Sequence, residues 1–131
     1  MKALDTNVIV RLLINDDKVQ GRRAKAVLEK AEEESERYFL SLLVILETIW
    51  VLSAVYKLNR SEVLDALELL TQMPVLELEN DGTVQELLRM GRSGNADLPD
   101  LLIGLSAKAR GCETTLTFEK GLEKTALFER L

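Results

Sequence analysis

Apolar positions along this chain switch repeatedly between the period of a strand and that of a helix. Lys2-Ala3-Leu4-Asp5 reads as a short strand closing on Asp5, and the apolar residues from Val8 to Ile14 read as a helix. Asn15-Asp16-Asp17 forms a turn or cap ahead of a helix from about Lys18 to Glu34. Tyr38-Phe39-Leu40-Ser41 is strand-like and runs into a strongly apolar helix. Asn59-Arg60-Ser61-Glu62 has the form of a capping box, opening an amphipathic helix with Val63, Leu64, Leu67, Leu70 and Met73 on one face. Pro74 to Glu79 alternates as a strand does, and Asp81-Gly82-Thr83 opens a helix to about Arg92. Asp97-Leu98-Pro99-Asp100 opens another helix ending near Gly111. Glu113 to Phe118 is a strand, and Leu127 to Leu131 adds a short edge strand.

Strands separated by one or two helices imply an α/β fold with a central, mainly parallel sheet of four to five strands and helices on both faces. No linker or repeat interrupts the pattern, so residues 1–131 are expected to form a single domain. The segment Phe39 to Tyr56 is eighteen residues long with one charge, Glu47, at its middle. A lipid-facing acid is most unfavourable at that depth, so the expectation is a buried core helix and no membrane span.

Composition narrows the function. Of 131 residues, 47% are hydrophobic and 30% charged, with 7 Gly and 2 Pro, which excludes disordered and collagen-like classes. The net charge of −5 argues against a broad basic surface for holding nucleic acid. No His is present, which removes triad hydrolases and His-ligated zinc proteases. A single Cys112 rules out an intrachain disulfide and suits a reducing cytoplasm, and the acid at position 5 breaks any secretion signal at the N-terminus.

The surplus acids are the informative residues. Ligands of open α/β sheets bind beyond the carboxyl ends of the strands, and Asp5 and Glu119 fall just after two such ends. Asp97 and Asp100 open a helix. Asp5 serves equally as a helix cap, the Asp97/Asp100 pair as a capping arrangement, and Glu119 as a solvated turn residue. Glu47 stands apart: its neighbours at helical spacing are Leu43, Val44, Trp50 and Val51, and no Lys or Arg occurs between Arg37 and Lys57. An acid buried there without a partner needs a functional reason. Acids converging on one cleft call for a hard divalent cation such as Mg²⁺ or Mn²⁺. With no His available, a water activated by that ion is the expected nucleophile, in phosphoryl transfer or hydrolysis.

The motif Asp5-Thr6-Asn7-Val8-Ile9-Val10-Arg11 resembles the opening of PIN-domain ribonucleases, particularly VapC-type toxins of toxin–antitoxin pairs. Ser41 to Glu47, Asp97 to Gly104 and Thr115 to Lys120 are similar, in order, to the family's later motifs. The resemblance spans nearly the whole chain. It implies a PIN fold and a Mg²⁺- or Mn²⁺-dependent endoribonuclease acting on single-stranded or loop RNA, with a cognate antitoxin and a homodimer. Asp5, Glu47 and Asp100 match the family's core acids, and Asp97 matches an accessory acid. Asn7 and Thr117 match supporting polar positions. Glu119 departs from the Asp usual there, and its extra methylene puts a second metal position in doubt. The implied products are a 5′-phosphate and a 3′-hydroxyl.

The dense basic stretch of Arg11, Lys18, Arg22, Arg23 and Lys25 is the candidate RNA contact, although such a run is equally a solvated helix face. A receiver domain would need adjacent acids after the first strand, and a dehalogenase-type phosphatase a second Asp where Asn7 stands. A non-enzymatic alternative is a PIN-like module working through dimer or partner contacts of its apolar helices. If five of the 22 acids line a metal site, one bound divalent ion brings the net charge to about −3 and two to about −1. That total suits an enzyme that holds RNA locally and briefly.

Overall fold

The chain enters the fold as an extended pair of residues, β1 (Lys2–Ala3), that pairs in parallel with β2 (Tyr38–Leu40), Lys2 opposite Tyr38. Strand β2 pairs in turn with β3 (Leu76–Leu78), Phe39 opposite Glu77, giving a parallel sheet in the order β1-β2-β3. A computed structural model describes all residues 1–131, in two compact units, Met1–Asn80 and Asp81–Leu131.

Every helix of the first unit starts where a polar side chain meets unpaired backbone N–H groups. Helix α1 (Thr6–Leu13) follows Asp5, and α2 (Lys18–Glu33) follows Asp17, whose carboxylate accepts the Gln20 N–H at 3.0 Å. Helix α3 (Leu42–Trp50) follows Ser41, whose hydroxyl accepts the Val44 N–H at 3.2 Å. Helix α4 (Arg60–Thr71) carries the full capping box, with Glu62 N–H on Asn59 at 2.9 Å and Asn59 N–H on Glu62 at 3.0 Å. Its apolar face, Val63, Leu64, Leu67 and Leu70, is buried, as the spacing predicts.

The apolar segment expected as one buried helix differs in two respects. It ends in a π-helical turn, Val51–Val55, and only one stripe of it is buried. Ile45, Thr48, Ile49 and Leu52 recur at the i, i+3, i+4, i+7 spacing and lie in the core. On the opposite side Leu43 is 77% exposed and Trp50 60% exposed, and Glu47 is exposed between them. Hydrophobicity alone does not say which stripe of a uniformly apolar helix meets the core. No helix is long and apolar enough to cross a membrane.

The second unit holds α5 (Asp81–Ser93) and α6 (Leu98–Ala109), then β4 (Thr115–Thr117), a 3₁₀ turn (Leu122–Lys124) and β5 (Phe128–Arg130). Strands β4 and β5 are parallel, with Thr115 opposite Phe128. Helix α6 is followed by Gly111 at φ +102°, a left-handed conformation that glycine adopts without strain. The five expected strands are thus present and all parallel, paired as three and two.

Gly104 is where α6 meets β5. A Cβ at that position would stand 2.8 Å from a Phe128 ring carbon and 3.0 Å from the Leu127 Cβ. Gly104→Ala is therefore expected to lower unfolding stability by about 1–3 kcal/mol through overpacking. Urea titration checks this, and Phe128→Leu in the same chain should recover part of the loss.

Candidate active site

Strand β1 delivers Asp5 at its carboxyl end, where the backbone turns into α1. One carboxylate oxygen accepts the Thr6 N–H at 2.8 Å, so the residue is both helix cap and exposed acid. Glu47 comes from the exposed side of α3. The two acids share the wall of one cavity of about 260 Å³ with Thr6, Asn7, Arg11 and Tyr56. The expectation of a buried Glu47 is corrected here: an exposed acid carries no burial penalty, and its place in the cavity is the reason to single it out. The Thr6 hydroxyl, on the same wall, is buried and has no hydrogen-bond partner.

A second feature of this cavity was not visible in the sequence. Tyr56, held at the end of the π-helical turn, donates its hydroxyl to Asp16 at 2.8 Å and accepts Arg11 Nη1 at 3.1 Å. The same Nη1 donates to Asp16 at 2.9 Å, and Arg11 Nε donates to Gln20 at 2.7 Å. The hydrogen bond from Tyr56, with Arg11 beside it, holds the Asp16 carboxyl below its ordinary range, while Arg11's own hydrogen bond to Tyr56 and the Asp16 charge raise the guanidinium. Asp16 reads as a turn residue and Tyr56 as the end of an apolar run. Nothing in their spacing announces that forty residues of chain separate the two partners of a hydrogen bond.

The remaining candidate acids belong to the second unit. Asp97 caps α6 by accepting the Asp100 N–H at 3.1 Å, with Pro99 in the first turn. Thr117, at the end of β4, accepts the Glu119 N–H on its hydroxyl at 3.0 Å and so shapes the turn that carries Glu119. Asp97, Asp100 and Glu119 line a cavity of about 620 Å³ whose wall also carries Arg89, Lys120 and Lys124. Partial burial, followed by the charges of Asp97 and Glu119, pushes the Asp100 carboxyl above its ordinary value. Within neither unit are three acids grouped so as to hold a metal ion as they stand.

The basic candidates also sort themselves. Arg11, Lys18, Arg22 and Lys25 line a groove of about 250 Å³ along α2, whereas Arg23 is exposed and not part of that wall.

With this geometry in place, comparison with known proteins is decisive. The PIN domain family model matches residues 2–127. The chain belongs to the PIN domain family. That match takes in all five candidate acids and accords with the six helices and the parallel strands. Among curated relatives, a VapC ribonuclease of Aquifex aeolicus (strain VF5) is 22% identical over 124 residues, covering 95% of this chain and 91% of the relative.

Partial burial, and then the charges of Asp97 and Glu119, disfavour the ionised form of Asp100 in this PIN domain. An acid whose folded value is raised loses stability as pH climbs through the interval between its unfolded and folded values. Asp100→Asn is thus expected to raise the thermal midpoint at neutral pH. The advantage should shrink as pH falls and vanish below the ordinary carboxylate range, where both forms are neutral. Calorimetry from pH 3 to pH 8 measures it.

Proposed function

We propose that this PIN domain is a Mg²⁺- or Mn²⁺-dependent endoribonuclease that cuts single-stranded or loop RNA. In this reading residues 1–131 act as one domain, the toxin of a VapBC-type pair in the cytoplasm, as a homodimer inhibited by a cognate antitoxin. The observation that carries the reading is Asp5, at the carboxyl end of a parallel strand, sharing a cavity with Glu47 in a PIN domain related to a VapC ribonuclease.

The candidate ligands suit a hard divalent cation. All are carboxylates, and each unit offers a polar group with unmet need: the unpartnered Thr6 hydroxyl in one, the crowded Asp100 carboxyl in the other. Asp5 and Glu47 of the first unit, and Asp100 with Asp97 and Glu119 of the second, are the carboxylates that would serve as ligands of such an ion. When bound, it supplies positive charge that makes a water more acidic and offsets charge building on the phosphate.

The chain's own residues do the rest. The Thr6 N–H occupies one Asp5 oxygen and leaves the other available, so the carboxylate is oriented before any ligand arrives. Asn7 offers an amide to the same cavity, to hold a water or a ribose hydroxyl. The Thr117 hydroxyl fixes the backbone of Glu119, and Asp97 orients the first turn bearing Asp100. Hydrolysis of the phosphodiester leaves a 5′-phosphate and a 3′-hydroxyl.

The test is cleavage of labelled RNA with Mg²⁺ or Mn²⁺ and with EDTA. Asp5→Asn and Asp100→Asn should each lower kcat/KM by more than the roughly 10–100-fold that loss of an outer partner of a metal ligand costs, while circular dichroism shows the fold retained. Cleavage that survives both substitutions, or persists in EDTA, would end this reading.

The exposed Leu43 and Trp50 on α3 favour a second role in partner contacts, which a module without turnover would also use. If α3 forms the homodimer contact, Trp50→Ser should shift sedimentation from dimer toward monomer without loss of helical signal. An unchanged dimer would place the contact elsewhere.

A further inference from the structure

A nuclease with a net charge of −5 needs a local means of holding a polyanion beside its acids. The first unit contains one arrangement that meets this need. Arg11 lies on the wall of the cavity that contains Asp5 and Glu47, and also on the wall of the basic groove along α2. It is the residue common to the two.

Its guanidinium is held from three sides. Gln20 takes Nε, while Asp16 and Tyr56 share Nη1, and Tyr56 is itself anchored on the second Asp16 oxygen. These bonds use three of the five N–H donors and leave both hydrogens of Nη2 without an acceptor. The Arg11 side chain is 24% exposed. An arginine fixed in this way loses little freedom when it binds a phosphate, and the planar fork suits an oxyanion.

Beyond Arg11 the groove continues along one face of α2. Lys18, Arg22 and Lys25 follow the i, i+4, i+7 spacing, and so lie about 6 Å and about 4.5 Å apart along the helix axis. Those intervals are comparable with the separation of successive phosphates in an extended strand. Gly21 lies on the same wall, where a Cβ would come within 3.5 Å of the Arg11 carbonyl oxygen, so α1 and α2 approach closely and the groove is shallow.

We propose that single-stranded RNA lies along this groove, with Arg11 gripping the phosphate nearest Asp5 and Glu47 and the Lys18, Arg22 and Lys25 face gripping those that follow. Tyr56 and Asp16 are positioning residues that act through Arg11. The proposal rests on the ribonuclease reading for its substrate, and it adds the path of the strand and the role of Tyr56.

The experiment is fluorescence anisotropy of a labelled, unstructured oligouridine bound to the full chain in EDTA, from 50 to 200 mM salt. Each phosphate contact on a single strand contributes about 0.7 to the slope of log K against log salt. The doubly substituted Arg22→Gln/Lys25→Gln protein should therefore lose about 1.4 from the slope, and Arg11→Gln about 0.7. Arg23→Gln, an equal charge change one position along but outside the groove, should leave the slope at its wild-type value. Tyr56→Phe keeps the ring and removes the hydroxyl. It should raise KM for RNA cleavage several-fold with little change in kcat, and Arg11→Lys should not substitute for Arg11, because an ammonium cannot keep the fork. Thermal midpoints identify any variant that has lost its fold, and the exposed Arg22 and Lys25 keep the test open if Arg11 variants do so.

A slope unchanged in Arg22→Gln/Lys25→Gln, or lowered as much by Arg23→Gln, would overturn the path while leaving metal-dependent cleavage intact. Binding of an oligoglutamate of the same charge, as tight and as sensitive to Arg22→Gln/Lys25→Gln, would assign the groove to an acidic protein partner and overturn it too. RNA binding with the expected slopes by a wild-type chain that cuts nothing in Mg²⁺ or Mn²⁺ would uphold the groove and remove the nuclease reading.

Discussion

The structure depends on how a helix satisfies its first N–H groups directly after a strand has ended. After β1, β2 and β3 the backbone passes from ladder to helix across one or two residues. The four N-terminal N–H groups of each helix then need acceptors at that junction. Asp5 provides one for α1 and Ser41 one for α3, where the Glu79 carboxylate also takes the Leu42 N–H at 3.1 Å. Polar side chains are thereby required at the carboxyl ends of the strands, before any question of chemistry arises.

Two caps, Asp5 and Asp97, also line cavities. Asp5 has two oxygens and the cap occupies one; Asp97 caps α6 and at the same time crowds Asp100. The structural and the chemical explanations of these residues are therefore not competitors. The same carboxylate can satisfy a backbone donor and still present charge to a cavity, and being a cap makes it rigid. Partial burial and the charges of Asp97 and Glu119 raise the Asp100 carboxyl, so its ionised form opposes folding.

Much of this was legible in advance because its causes are local. The capping box at Asn59 and Glu62, the buried face of α4 and the cap at Asp97 follow from spacing within one helical turn, and the structure has them where the sequence predicts. The four acid-bearing motifs are legible in order through the family resemblance they carry, and one of their acids, Glu47, lies inside α3 where no local rule singles out its role. The solvent side of α3 was not legible. Its residues are apolar nearly all round, so the pattern carries no phase, and Leu43, Glu47 and Trp50 lie outside the core that hydropathy alone predicts for them.

The sequence by itself determined the alternation of strands and helices, the identity of the acids and the density of basic residues on α2, because each depends on neighbours within about four positions. Only the tertiary structure decided which residues share a wall. It put Tyr56 against Asp16 and Arg11, made Arg11 common to an acidic cavity and a basic groove, and left Arg23 out of that groove. Those relations join residues up to 45 positions apart along the chain, as Arg11 and Tyr56 are. They arise from how helices pack, which a one-dimensional period does not encode.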